Sequence, residues 1–391
     1  MPSLPLDGVV VLSLEHAVSA PLASRHLADL GARVIKIERP GGGDFARDYD
    51  RRARGLSSHF VWTNRSKESV TLDLKHAAAS EILFKLVEKA DVLMQNLAPG
   101  AAARLGLGFE SLHPRYPRLI SCDISGYGAT GPFASKKAYD LLIQAEAGLL
   151  SITGTPDEPA KCGISIADIS AAMYAVTNIL AALVQREKTG YGCHIDLSLF
   201  ESLSEWMGYP LYYTIDGAPP PARSGAFHAT VFPYGPFPAG DGRKVFFGLQ
   251  NEREWLAFCQ IVLERPELAA DARFATNFLR SEHRAALTEI ICEAFSGLSA
   301  GEVLARLERA GIASARMNEM AEAWSHPQLK ARCRWRSVAT PAGPLPMLLP
   351  PGRVDAQMAA VPALGEHTEA VLKELGYSES EIARLRESGA V

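Results

Sequence analysis

Val9-Val-Val-Leu12, Ser19-Ala-Pro21, Gly31 and Arg33-Val-Ile-Lys-Ile-Glu38 together decide the fold. The aliphatic run at 9–12 reads as a buried strand. Ser19 reads as a helix cap with Pro21 in the first turn, Gly31 as the helix stop, and 33–38 as a second strand. Strand, helix and strand at this spacing form a βαβ unit, the opening of a doubly wound parallel sheet in an α/β protein. The turn after the first strand, Ser13-Leu-Glu-His-Ala-Val-Ser19, lacks the G-x-G-x-x-G that would seat a dinucleotide pyrophosphate, which disfavours nicotinamide and flavin chemistry. Gly41-Gly-Gly43 follows the second strand as a mobile loop, flanked by Arg39 and Arg47, whose guanidinium groups suit phosphates.

The alternation continues outward. A helix is expected at 77–89, a strand at Val92-Leu-Met94, a helix from Ala101 and a strand at Leu119–Ser125. From Ile169 to Lys188, the residues Ile169, Ala172, Met173, Val176, Leu180 and Leu183 recur at helical spacing and are expected in a core. Breakers cluster at Asp216-Gly-Ala-Pro-Pro-Pro221 and Phe232-Pro-Tyr-Gly-Pro-Phe-Pro238, so the domain change is placed there. This gives a first domain over 1–215, a small domain over 216–325 and a closing segment over 326–391. Within these, Lys244–Leu249 reads as a strand, 252–311 as mostly helical, 341–352 as a Pro-rich linker and 367–387 as an amphipathic helix.

The 391 residues carry a net charge of −4 with 47% apolar and 21% charged side chains, the profile of a soluble globular protein with room for two domains. The charge argues against nucleic acid as a partner, which calls for surplus Lys and Arg. Six dispersed cysteines without a C-x-x-C pair, and histidines without ligand spacing, suggest neither disulfide framework nor metal. No segment is expected to cross a membrane, no leader is visible, and the cytoplasm is the expected location.

The chemistry centres on Asp168, in Gly163-Ile-Ser-Ile-Ala-Asp168, where a Gly/Pro-rich loop meets the long helix. An aspartate there commonly serves as an N-cap. It can also be a nucleophile kept ionised by the helix dipole and the free N–H groups of the first turn. Gly163-Ile-Ser165-Ile-Ala167 approaches the hydrolase nucleophile elbow, but the final glycine is missing and the segment follows a loop instead of a strand.

Several blocks occur in one order along nearly the whole chain: Leu6–Leu12, Ala28–Pro40, Gly43-Asp44, Leu72-Asp-Leu-Lys75, Ala90–Asn96, Pro99-Gly100, Arg104, Ser125-Gly-Tyr-Gly128, Gly131-Pro132, Tyr139–Gly148, Thr153-Gly-Thr-Pro156, Asp168 and Thr189–Gly192. Together they resemble the class III CoA-transferases. The resemblance implies a Rossmann-like doubly wound large domain built from both ends of the chain, a smaller α+β domain, and an interlocked homodimer. It implies that Asp168 carries the acyl group through a mixed anhydride and an aspartyl-CoA thioester. Coenzyme A and acyl-CoA are then substrates, with no permanently bound cofactor, and CoA is expected at His16, Arg39, Lys75, Asn96, Arg104 and Lys137.

The α-methylacyl-CoA racemases also resemble this chain, but carry a histidine where Tyr139 stands, the base that carbon proton exchange needs. A racemase-like isomerase and a non-catalytic acyl-CoA binder remain the alternatives. Val18 stands where formyl-CoA transferases carry a glutamine that handles oxalate, which disfavours oxalate, while Arg223–Thr230 with Pro233–Phe237, Gly248–Trp255 and His326–Leu329 resembles the branch acting on C4 to C5 dicarboxylates such as itaconate, mesaconate and succinate. Tyr139, Arg47, Arg223 and His228 are the expected substrate-binding residues, with Arg253 a further cation for a distal carboxylate.

Overall fold

A computed structural model describes residues 4–391, and they group into two compact units. The first comprises the chain up to Ala147 together with Cys162–Gly208 and Leu329–Val391. Its centre is a six-stranded parallel sheet of β1 (Val10–Leu14), β2 (Arg33–Glu38), β3 (Lys67–Thr71), β4 (Val92–Gln95), β5 (Ile120–Ser125) and β6 (His194–Ser198). The strand order is β3-β2-β1-β4-β5-β6, the doubly wound arrangement whose direction reverses between β1 and β4. Side chains alternate across the sheet with the pleat. Val11, Val34, Val92 and Ile120 enter a core beneath the Ser19–Asp29 and Ile166–Thr189 helices. Leu12, Ile35 and Leu93 enter a second core with Leu83 and Leu86 of the Ala79–Lys89 helix.

The opening βαβ unit forms where the sequence places it, and Gly31 ends its helix at φ +106°, where a Cβ would lie 2.5 Å from that of Leu4. Ser19 is not the cap of that helix. Val18 holds the N-cap position without a side-chain bond, and Ser19 is the first helical residue, with its hydroxyl 3.4 Å from Asn96 Nδ2. The loop expected to be mobile at Gly41–Gly43 is a hydrogen-bonded turn, Gly42 N donating to Pro40 O and Gly43 N to Arg39 O, both at 2.9 Å.

The long helix spans Ile166–Thr189, three residues earlier than expected, and places Ala171, Ala172, Ala175, Val176 and Ile179 in the core. Met173, read from periodicity as core, is instead 39% exposed. This helix has 24 residues and an 18-residue window with a mean hydropathy of 1.6, so by length and composition it could span a membrane, contrary to the sequence expectation. Its apolar content is accounted for by one face buried over the sheet.

The second unit is Gly148–Lys161 with Tyr209–Gln328. It holds an antiparallel sheet of β7 (Tyr234–Pro238), β8 (Lys244–Gly248) and β9 (Ser314–Arg316), against which Trp255, Phe258, Leu287, Ile291 and Phe295 pack in one core. The unit begins at Tyr209 instead of 216, and it recruits Gly148–Lys161, which the sequence reading assigned to the first domain. Arg223 supplies part of that attachment, Nε and Nη2 donating to the carbonyls of Thr155 and Pro156 at 2.9 Å each.

Leu329–Val391 returns to the first unit. The expected linker over 341–352 contains a strand, since β10 (Trp335–Val338) pairs antiparallel with β11 (Leu345–Leu348). The single helix expected over 367–387 is two, Thr368–Glu374 and Glu379–Glu387, separated at Gly376 with φ +90°. Val371, Leu372 and Ile382 from this pair close the second core of the sheet.

Candidate active site

In a doubly wound sheet the ligand crevice lies beyond the carboxyl ends of the strands where their order reverses. Each of the six positions expected to hold CoA lies beyond such an end. His16 follows β1, Arg39 follows β2, Lys75 follows β3, Asn96 and Arg104 follow β4, and Lys137 follows β5. Arg39, Lys75, Arg104 and Lys137 are exposed and form no salt bridge among the described residues. Asn96 has a different task. Its Oδ1 accepts from His16 N at 2.8 Å and its Nδ2 donates to His16 O at 2.9 Å, so its amide clamps the turn after β1. The His16 ring stacks on Phe45 at 5.5 Å, and its buried Nδ1 finds no partner among the described residues. Burial first, and then the nearby charges of Lys36 and Arg39 working against those of Asp44 and Glu15, holds this imidazole below its ordinary pKa.

Asp168 lies in the first turn of the Ile166–Thr189 helix, not at its cap, because Ser165 occupies the N-cap. Ser165 makes no side-chain cap bond. That function falls to Asp140, whose Oδ1 accepts from Ala167 N at 2.8 Å and Asp168 N at 3.3 Å. Asp140 Oδ2 accepts from Gln144 Nε2 at 2.7 Å, and Gln144 Oε1 accepts from Cys162 N at 2.9 Å, so the cap is fixed from both sides.

This overturns the expected electrostatics of Asp168. The sequence reading gave it the helix dipole and free first-turn N–H groups to keep it ionised. In the structure Asp140 has taken those donors and added a second carboxylate beside it. Burial first, and then the Asp140 charge, pushes the Asp168 carboxyl up to about 7, against a hydrogen bond with Ser19 that pulls the other way. Tyr49, 47% exposed, is close enough that Asp44, Asp168 and Tyr139 add to its burial and push its phenol up to about 12, so it stays a proton donor. Tyr139 is 69% exposed and directly precedes Asp140.

Two of the expected substrate cations are committed elsewhere. The Arg47 guanidinium forms a paired contact with Glu38, Nε to Oε1 at 2.8 Å and Nη2 to Oε2 at 2.7 Å, and its Cζ lies 3.7 Å from the centroid of the Phe60 ring. Arg223 is bonded to two carbonyls of its own unit, as described above. His228 stacks on Tyr234 at 5.1 Å, and its Nδ1 accepts from the backbone N–H groups of Thr230 and Val231 at 3.2 and 3.1 Å. Arg253 is exposed on the Glu252–Ala257 helix of the second unit.

Residues 6–368 match the model of CoA-transferase family III. The chain belongs to that family.

The chain is 32% identical to the human succinyl-CoA:glutarate CoA-transferase over 395 residues, covering 99% of this chain and 90% of the relative. It is 37% identical to the acetyl-CoA:oxalate CoA-transferase of Acetobacter aceti over 333 residues, 85% of each. Among solved structures, a CAIB/BAIF family protein from Brucella suis superposes with a TM-score of 0.84 at 35% identity, covering 95% of this chain and 100% of that one. As a family III CoA-transferase the protein is an enzyme, and its reaction is the movement of CoA between carboxylic acids.

Ser19, Asp140 and Tyr49 are the residues that sequence reading did not place at the CoA-transferase site. Asp140 was legible only as part of a motif block, and its capping partner lies 27 residues away in sequence. Ser19 was visible but read as a cap.

Proposed function

We propose that this family III CoA-transferase moves CoA between C4 to C5 dicarboxylates, the class that includes succinate, mesaconate and itaconate, with Asp168 as the acyl carrier. The observation that carries the reading is the half-buried Asp168 carboxyl, raised to about 7 beside Asp140, at the crevice bordered by Ser19 and Tyr49.

The ionised Asp168 attacks the thioester carbonyl carbon of the donor. The C–S bond breaks, CoA leaves as thiolate, and the acyl group is joined to Asp168 in a mixed anhydride. The thiolate then attacks the Asp168 carbonyl carbon, which frees the donor acid as its carboxylate and leaves an aspartyl-CoA thioester. The acceptor carboxylate attacks that thioester and expels the thiolate to give a second anhydride. Thiolate attack on the acceptor carbonyl forms the new acyl-CoA and returns Asp168 as carboxylate. No proton moves in the net exchange.

The environment favours these steps in a definite way. Burial and Asp140 make the Asp168 charge costly, and acylation removes that charge, so part of the repulsion is released when the anhydride forms. A carboxylate with a pKa near 7 is also more basic, and hence more nucleophilic, than an ordinary aspartate.

The exposed cations Arg39, Lys75, Arg104 and Lys137 are the groups for the phosphates of CoA. With Arg47 and Arg223 committed, the Tyr49 and Tyr139 hydroxyls are the donors for a distal carboxylate. A dicarboxylate specificity is supported by the succinyl and glutarate substrates in the name of the human relative. The test is a kcat/KM panel with succinyl-CoA as donor and glutarate, itaconate, mesaconate, oxalate, acetate and butyrate as acceptors. The C5 dicarboxylates are expected to exceed the monocarboxylates and oxalate by tenfold or more, and equal or reversed values would exclude this substrate class.

A further inference from the structure

The turn between β1 and the Ser19–Asp29 helix contains a backbone conformation that asks for an explanation. Ala17 stands at φ +61°, the left-handed region that a residue with a Cβ occupies about tenfold or more less readily than its alternatives. Its N–H donates to Asp44 Oδ1 at 3.1 Å, and the same oxygen accepts from Ala46 N at 2.9 Å. Asp44 Oδ2 accepts from Lys36 Nζ at 2.7 Å. Lys36 also reaches Asn64 Oδ1 at 3.0 Å and Glu15 at 3.4 Å, and Glu15 pairs with Lys67 at 2.6 Å. Four charged side chains, two of each sign, are therefore buried together beneath the turn.

Such a cluster is a poor way to gain stability, because desolvation cancels most of the attraction and apolar side chains of similar volume would serve as well. What an apolar cluster cannot supply is an acceptor aimed at one backbone N–H. The residues flanking Ala17 belong to the site: His16, clamped by Asn96, and, two residues on, Ser19, whose hydroxyl lies 3.4 Å from Asn96 Nδ2 and acts to lower the pKa of Asp168. The Ser19–Asp29 helix packs along the helix that carries Asp168, with Ala20 and Ala23 in one core with Ala171 and Ala175. A turn that relaxed to negative φ would change the exit direction of the chain just before Ser19.

We propose that Asp44 is a positioning residue for CoA transfer: its carboxylate holds the Ala17 turn left-handed and thereby fixes where Ser19 stands relative to Asp168. The inference rests on the reading of Asp168 as the acyl carrier. It assigns Asp44 no contact with substrate.

A double-mutant cycle tests it, using kcat, KM for succinyl-CoA and melting temperature of the full-length protein. Asp44→Ala is expected to lower kcat about tenfold or more while KM changes less than twofold, the split expected when an interaction acts on the reacting geometry. Glycine takes positive φ without cost, so Asp44→Ala in an Ala17→Gly background is expected to recover most of the lost kcat without recovering the melting temperature. A purely structural role predicts the same kcat loss in both backgrounds, and that result would overturn the proposal. Should Asp44→Ala fail to fold, Ala17→Val decides, since it disfavours the left-handed turn with Asp44 in place. A well-folded Ala17→Val enzyme is expected to lose about tenfold in kcat, and wild-type turnover would overturn the proposal. Asp168→Asn is assayed in parallel. Wild-type turnover there would refute the acyl-carrier reading, an outcome separate from any result at Asp44.

Discussion

Replacing Asp168 by Asn should make the protein more stable in neutral and mildly alkaline buffer even as it abolishes transfer. The native carboxyl titrates at about 7 against an ordinary 3.8, so between these values the folded state holds a proton that the unfolded chain has released. A folded pKa raised above the unfolded one contributes stability that is complete below the unfolded pKa. That stability is lost as pH rises towards the folded pKa. The displacement corresponds to a ceiling of about 4 kcal/mol. Partial water access to the half-buried group reduces the expected gain to roughly 2 kcal/mol. Denaturant midpoints for wild type and Asp168→Asn at pH 5, 6, 7 and 8 give the measurement. The variant's advantage should widen from pH 5 to 7 and stay level beyond, because Asn cannot titrate. An advantage independent of pH, or one that shrinks as pH rises, would show that neither burial nor Asp140 acts on Asp168 as described.

Arg47→Met leaves the buried Glu38 carboxylate without its guanidinium and should cost about 3 kcal/mol of stability, with KM for the acceptor acid in the folded enzyme within about twofold. A tenfold rise in KM for dicarboxylates without destabilisation would return Arg47 to the substrate. Arg223→Gln should lower the melting temperature by removing bonds to the Thr155 and Pro156 carbonyls, about 1–2 kcal/mol in total. Its KM values for mono- and dicarboxylates should move together, so a selective rise for dicarboxylates would contradict the placement described here. Lys75→Ala, Arg104→Ala and Lys137→Ala should each raise KM for the CoA thioester a few fold with folding unchanged, and the effect should shrink in high salt. A triple variant with wild-type KM would remove these cations from the CoA site.

What the sequence made legible was local. The βαβ opening could be read because strand, cap region, stop and second strand fall within 30 residues, each with its own signal. The six candidate CoA positions could be listed from motif blocks, and the sheet then gives them a common place beyond the strand ends. Partnerships formed at long range were not legible. The first-turn N–H groups near Asp168 looked free because Asp140, which takes them, lies in an earlier helix. Arg223 looked available because the carbonyls that hold it lie 67 and 68 residues away. Periodicity placed Met173 in the core, since it marks an apolar stripe without showing how wide a face the neighbouring elements cover. The attachment of Gly148–Lys161 to the second unit had no compositional marker at all, and it depends on contacts with residues beyond 208.

Trapping with hydroxylamine during turnover of succinyl-CoA puts the acyl-carrier role of Asp168 to the sharpest test. Both the anhydride and the aspartyl-CoA thioester expose the Asp168 carbonyl carbon, and attack there converts the side chain to a stable hydroxamate. The tryptic peptide Cys162–Arg186 contains Asp168 as its sole carboxylate side chain, so a mass shift on it has one possible site. The peptide should carry the hydroxamate only when CoA thioester and hydroxylamine are both present. A peptide that stays unmodified while CoA exchange proceeds at full rate would refute Asp168 as the acyl carrier.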